Sequence, residues 1–183
     1  MGAYHAVASH FPIGVLIVAT LMILLRAVST STYALAVDRV LPAALLIGLV
    51  GGVITFMIGL SIWNWESVAR SPMARNHLMM SAWALGVYGV VYAVRQINGT
   101  GVWDGFGRVF MVVGAVVGAA ILSISGTTGG YLAGGSTALS VLLEALGWNV
   151  FDTYYLPAWA VYVLGGTGIL IAAIAVVGRR KPA

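Results

Sequence analysis

The chain has 183 residues, of which 61% are hydrophobic and 8% are charged, and its formal net charge is +4. A chain with this composition has too little polar surface to solvate a globule. The composition therefore excludes a water-soluble fold and predicts an integral membrane protein. Cysteine is absent, which excludes disulfides, thiolate metal sites and iron–sulfur clusters.

Five apolar runs follow one another along the chain, each close to the ~20 residues that cross a hydrocarbon core. They cover about residues 11–28, 41–63, 78–94, 109–125 and 158–177. The near-neutral opening lacks the basic start of a signal peptide, so the first run is predicted to remain as a helix. Pro12 and Pro42 are expected in first turns, where a missing N–H is harmless. The predicted fold is all-α, with residues 1–183 forming a single transmembrane domain of five spanning helices.

Glycine punctuates these helices and the segment before the last of them. The spacings Gly48-x3-Gly52 and Gly114-x3-Gly118 favour close packing of helices inside one bundle. Residues 126–136 are rich in glycine and are predicted to form a turn. Residues 137–147 are apolar but too short to span, so they predict a short interfacial helix between the fourth and fifth spans.

The basic residues divide unequally between the two sides that alternating helices define. One side receives seven of the nine, namely Arg26, Arg39, Arg95, Arg108, Arg179, Arg180 and Lys181, whereas the other receives only Arg70 and Arg75. Basic residues concentrate in cytoplasmic loops, so the N-terminus is predicted to be periplasmic and the C-terminus cytoplasmic in a bacterial inner membrane. The positive charge is then explained by topology, and no nucleic-acid partner is expected.

The three histidines, His5, His10 and His77, all fall on the predicted outer side near helix starts. His10 and His77 precede parallel helices at similar depth, so they are predicted to hold one b-type haem as axial ligands. Arg70 and Arg75 would pair with its propionates. His5 is a poorer ligand for the same iron, because five helical residues rotate it by ~140° from His10. The aromatic residues expected to flank the ring are Phe11, Trp63 and Trp83.

The opening His5-x4-His10-Phe-Pro-Ile-Gly14 resembles that of a bacterial membrane family catalogued as domain of unknown function 2231. Residues 59–63 resemble that family's Gly-Leu-x-Asp-Trp segment, and residues 129–134 its late glycine-rich element. Ile62 stands where the family has an acid. The resemblance implies a four-helix core to which this chain adds a fifth helix.

The resulting hypothesis is a haem protein that transfers electrons at the periplasmic side, to or from a quinone or a periplasmic redox partner. It would act as the electron-transfer subunit of a respiratory or other redox complex. Two alternatives stay open. One is a structural or anchoring subunit of a larger membrane complex. The other is a copper or zinc site, for which His5 or Glu66 would have to supply a third ligand.

Overall fold

Four long helices dominate the part of the chain that the computed structural model describes, which comprises residues 2–146 together with Tyr162 and Gly166. The elements are α1 (Gly2–Val28), α2 (Thr32–Ile62), α3 (Trp65–Arg70), α4 (Pro72–Asn98), a 3-10 turn (Gly99–Trp103), α5 (Gly105–Leu132) and α6 (Ala138–Ala145). No strand occurs among these residues. The all-α prediction is confirmed for them.

Helices α1, α2, α4 and α5 are each long and apolar enough to cross a membrane. Each contains one of the first four predicted spans, which supports a multi-pass membrane protein. The fifth predicted span, residues 158–177, lies outside the described residues.

The helices extend beyond the apolar runs that revealed them. Helix α1 begins at Gly2, whereas hydropathy placed the first span at residue 11. Pro12 and Pro42 consequently lie inside α1 and α2, so the prediction that they mark first turns is wrong. A spanning helix tolerates an internal proline because neighbouring groups satisfy the freed carbonyl.

The long helices form a four-helix arrangement in which α1 packs against α2 and α5, and α4 packs against the same two helices. Helices α1 and α4 are therefore diagonal to each other. Short caps fix the connections: the Ser31 side chain accepts from the Ala34 N–H at the start of α2, and that of Ser71 accepts from Ala74 at the start of α4.

The small-residue spacings pack helices together inside this bundle, as predicted. A Cβ at Gly48 would lie 2.6 Å from Leu16 of α1, and one at Gly114 would lie 2.7 Å from Val91 of α4. Because glycine has no side chain, the helix backbones can approach closely at these positions. Such close packing holds helices together where lipid supplies no hydrophobic drive for association. A polar tie crosses the same core, since the Thr20 Oγ1 and Tyr88 hydroxyl oxygen are 2.7 Å apart.

The glycine-rich segment is largely helical, which corrects the prediction of a turn over residues 126–136. Helix α5 continues to Leu132, and the turn is confined to residues 133–137, where Gly134 has a φ of +90°. Without competing water, glycine in a spanning segment keeps its backbone hydrogen bonds within the helix. Helix α6 coincides with the predicted short helix, whose interfacial position stays a prediction.

Candidate functional site

A pair of histidines meets at the end of the bundle where α1 and α4 begin and where α2 and α5 end. The rings of His5 and His77 have their centroids 6.4 Å apart, with planes inclined at 88°. The two residues belong to α1 and α4, so the pair joins diagonal helices.

His5 is seated on the backbone of α2. Its Nδ1 lies 3.1 Å from the carbonyl oxygen of Thr55. The ring occupies the space that a side chain at Gly59 would fill, because a Cβ there would be 2.7 Å from His5 Cε1. The position of His5 therefore depends on one helical carbonyl and one glycine, both on α2.

His77 has an equivalent seat on α5. Its Nδ1 lies 2.9 Å from the carbonyl oxygen of Ser125, and a Cβ at Gly129 would be 2.8 Å from His77 Cε1. The indole of Trp63, at the end of α2, lies beside it with ring centroids 5.8 Å apart. Each histidine thus repeats the same pattern of a carbonyl contact and a glycine seat on the neighbouring helix.

The carbonyl contacts determine the tautomers of both imidazoles. A carbonyl oxygen only accepts, so Nδ1 of each ring donates the hydrogen, and in the neutral form of such a ring Nε2 would be the nitrogen available to a metal. Histidines that bind metals have this arrangement, in which the N–H that is not involved in ligation donates to a backbone carbonyl or carboxylate. Two imidazoles whose rings are fixed in this way have the carbonyl contact that is typical of histidine ligands.

His10, the other predicted ligand, does not lie at this pair. Its side chain is exposed, and its Nδ1 lies 2.7 Å from the carbonyl oxygen of Ala6 in its own helix. From the sequence, the ~140° rotation between His5 and His10 predicts that His5 is the poorer ligand. In the structure the same rotation has the opposite consequence. Helix α1 already includes His5, so His5 faces inward and His10 faces outward.

The predicted propionate partners, Arg70 and Arg75, form their contacts with residues of α3. Arg70 forms an exposed ion pair with Glu66, and Arg75 Nη1 donates to the carbonyl oxygen of Ala69. Of the three predicted flanking aromatics, Trp63 lies beside His77, whereas Phe11 and Trp83 have 59% and 45% of their surface exposed.

The remaining ligand chemistry near the pair is sparse. In the described portion of the chain, no three side chains of His, Cys, Asp or Glu are grouped so that they could hold a metal ion. A metal at the pair would therefore need most of its ligands from a cofactor rather than from these residues.

A buried charge cluster at the opposite end of the bundle was not singled out from the sequence. The Asp38 carboxylate is 3% exposed and lies 3.1 Å from Arg95 Nη2, and its Oδ1 accepts a 3.0 Å hydrogen bond from Trp103 Nε1. Arg26 Nε lies 3.9 Å from Asp38 Oδ2. Asp38 precedes the predicted second span but lies within α2, and an acid inside a spanning helix faces the bundle interior and pairs there.

Comparison with protein-family models, curated proteins and solved structures finds no match for this chain. The resemblance to domain of unknown function 2231 therefore stays a prediction that rests on the residues quoted for it.

Proposed function

We propose that His5 and His77 would hold one b-type haem and that the protein transfers electrons at that end of the bundle. The observation that carries this proposal is the 6.4 Å separation of the two ring centroids. A metal held by two imidazole nitrogens at about 2.0–2.1 Å each would place the ring centroids roughly 6 Å apart. The observed spacing supports the proposal, although edge-to-face packing of two rings gives the same separation.

The number of ligands favours haem over a bare metal ion. Structural zinc sites take four protein ligands and catalytic sites three, whereas the described residues offer two imidazoles here. A porphyrin supplies four equatorial nitrogens and needs only two axial ligands. When bound, it would provide a one-electron couple.

The residues of the chain would hold and orient the ligands. The Thr55 and Ser125 carbonyls accept from Nδ1, which fixes the ring planes and increases the electron density at Nε2. Gly59 and Gly129 let the rings lie against helix backbones, and Trp63 covers one side of His77. A site fixed in this way changes little between oxidation states, as efficient electron transfer requires.

The location of the pair defines the proposed partners. It lies at one end of the bundle, so electrons would be exchanged with a quinone at the membrane boundary or with a redox protein on that side, within a larger membrane complex. The division of basic residues supports a periplasmic location for this end, and it supports an inner-membrane protein of five spans with a cytoplasmic C-terminus.

The test is an absorption spectrum of the purified full chain, before and after addition of haemin. Wild type should show a low-spin bis-imidazole spectrum. His5→Ala and His77→Ala should each abolish it, because each removes an axial ligand. His10→Ala is the matched control, since His10 lies on the same helix as His5 and is exposed, and it should leave the spectrum unchanged.

Two results would contradict the proposal in different ways. If His10→Ala abolishes the spectrum and His5→Ala does not, the ligand pair is the one predicted from sequence. If carefully prepared wild type binds no haem, the pair is not a haem site. Metal analysis for copper and zinc then distinguishes a metal-ion site from a structural subunit.

A further inference from the structure

At the end of the bundle opposite the histidine pair, a cleft of about 230 Å³ opens between the α1–α2 connection and the start of α5. Its polar lining comes from Arg26, Ser29, Thr30, Trp103, Asp104 and Arg108. The cleft is separate from the histidine pair and plays no part in the proposed electron transfer.

The guanidinium of Arg26 is fixed at this cleft but not fully hydrogen-bonded. It lies over the Trp103 ring, 5.3 Å from the centroid, and its Nη1 donates to the Ser29 carbonyl oxygen at 3.2 Å. Its buried Nε has no hydrogen-bond acceptor within the described part of the chain, because the nearest carboxylate oxygen, Asp38 Oδ2, is 3.9 Å away. The guanidinium also lines the cleft, so an anion bound there would lie against its positive charge.

The charges around the cleft are unbalanced by one unit. Asp38 is shared by Arg26 and Arg95, which leaves one positive charge in the buried cluster. Arg108 and Asp104 also line the cleft, and their opposite formal charges add nothing to the net charge. One bound negative charge would neutralise the group, and a partly buried surplus charge is costly without it.

We propose that this cleft binds the phosphate group of an anionic phospholipid. Arginine presents its donors in a planar fork that matches phosphate oxygens, and Arg26 and Arg108 line the cleft together. The apolar surface beside it identifies the source of the phosphate. Val28 and Phe106 are 85% and 80% exposed at the adjoining helix ends, where they would contact acyl chains of a lipid whose headgroup occupies the cleft.

The experiment measures lipid retention by the full chain in detergent, using native mass spectrometry during titration with phosphatidylglycerol. Phosphatidylcholine and inorganic phosphate serve as parallel probes. Wild type should retain phosphatidylglycerol in preference to phosphatidylcholine, whose choline supplies its own positive charge. Inorganic phosphate should not compete at millimolar concentration, since it lacks the acyl chains.

Arg108→Gln should weaken phosphatidylglycerol binding by roughly fivefold, because it removes one partly screened charge-assisted contact. Arg39→Gln is the matched control: Arg39 is exposed near the same end of the bundle but does not line the cleft, so its variant should bind as wild type does. Arg26→Lys keeps the charge opposite Asp38 while removing the planar fork. It should also weaken binding, and a melting curve checks that it folds.

If Arg108→Gln and Arg39→Gln weaken phosphatidylglycerol binding equally, the lipid is attracted by basic residues in general. That result would overturn the proposal. Unchanged binding in both Arg108→Gln and a folded Arg26→Lys would do the same. Tight binding of inorganic phosphate that depends on Arg108 but is accompanied by no preference for phosphatidylglycerol would overturn the assignment to lipid.

Discussion

Gly129→Ala should displace His77 and weaken the proposed site, while replacement of a glycine in open space should not. The added Cβ would stand 2.8 Å from His77 Cε1 and 3.2 Å from Nδ1. Carbon atoms pack at about 3.5–4.0 Å, so the ring would have to retreat by about 0.7–1.2 Å. The 2.9 Å contact with the Ser125 carbonyl oxygen would then stretch beyond hydrogen-bonding distance.

Two opposing effects determine the change in stability. Alanine in a helix interior is better than glycine by roughly 0.5–1 kcal/mol, whereas overpacking costs about 1–3 kcal/mol. Gly129→Ala should therefore be destabilising by up to about 2.5 kcal/mol overall. Gly86→Ala, on α4 with no atom within 4 Å of its added Cβ, should be neutral or stabilising.

Thermal unfolding of both variants in the same detergent measures the stability difference, and titration with haemin measures the affinity. Loss of the carbonyl contact should lower haem affinity by roughly 10- to 100-fold in Gly129→Ala alone. Equal stability and equal affinity in the two variants would refute the reasoning. A loss of stability with unchanged affinity would show that the seat serves packing and does not position a ligand.

Asp38→Asn should destabilise the protein by about 3–5 kcal/mol, because it leaves buried guanidiniums without a counter-charge, whereas Asp104→Asn, at an exposed position, should change the melting midpoint little. Denaturant titration measures the stability of both variants. Equal stabilities would show that the buried pair is not stabilising. Tyr88→Phe should cost about 0.6 kcal/mol, and at most roughly 1.7 kcal/mol, by removing the hydrogen bond to Thr20; a larger loss in the same assay would mean that the ring packing has changed as well. Reporter fusions at the two termini should show activity on opposite sides of the membrane, and activity on the same side would eliminate the fifth span.

The helices could be predicted from the sequence because hydropathy is a local property of each run. The ends of the helices could not be predicted in this way. Residues 2–10 are less apolar than the run that follows them, but they contain nothing that stops a helix. The glycines of residues 126–131 were interpreted as a turn for a similar reason: glycine favours turns in water, but a membrane-spanning helix keeps them in its hydrogen-bonded ladder.

The sequence predicts a histidine site, which stays a prediction, and which histidines lie together depends on where α1 begins. A start at residue 2 includes His5 in the helix and directs it toward His77, whereas a start near residue 10 leaves it outside. The contacts of the glycine seats and of the Asp38 cluster could not be predicted from the sequence. They join residues about 50 or more positions apart, for example Asp38 and Arg95, whose separation is 57 residues.

The two histidines are each anchored within a different helical hairpin. His5 of α1 contacts α2, the next long helix along the chain, and His77 of α4 contacts α5 in the same way. Spanning helices insert before they associate, so each imidazole can take up its orientation as soon as its own hairpin forms. The pair itself exists only after the two hairpins dock. A ligand that bridges the imidazoles would therefore bind the assembled bundle alone, and its binding free energy would be added directly to the association of the hairpins.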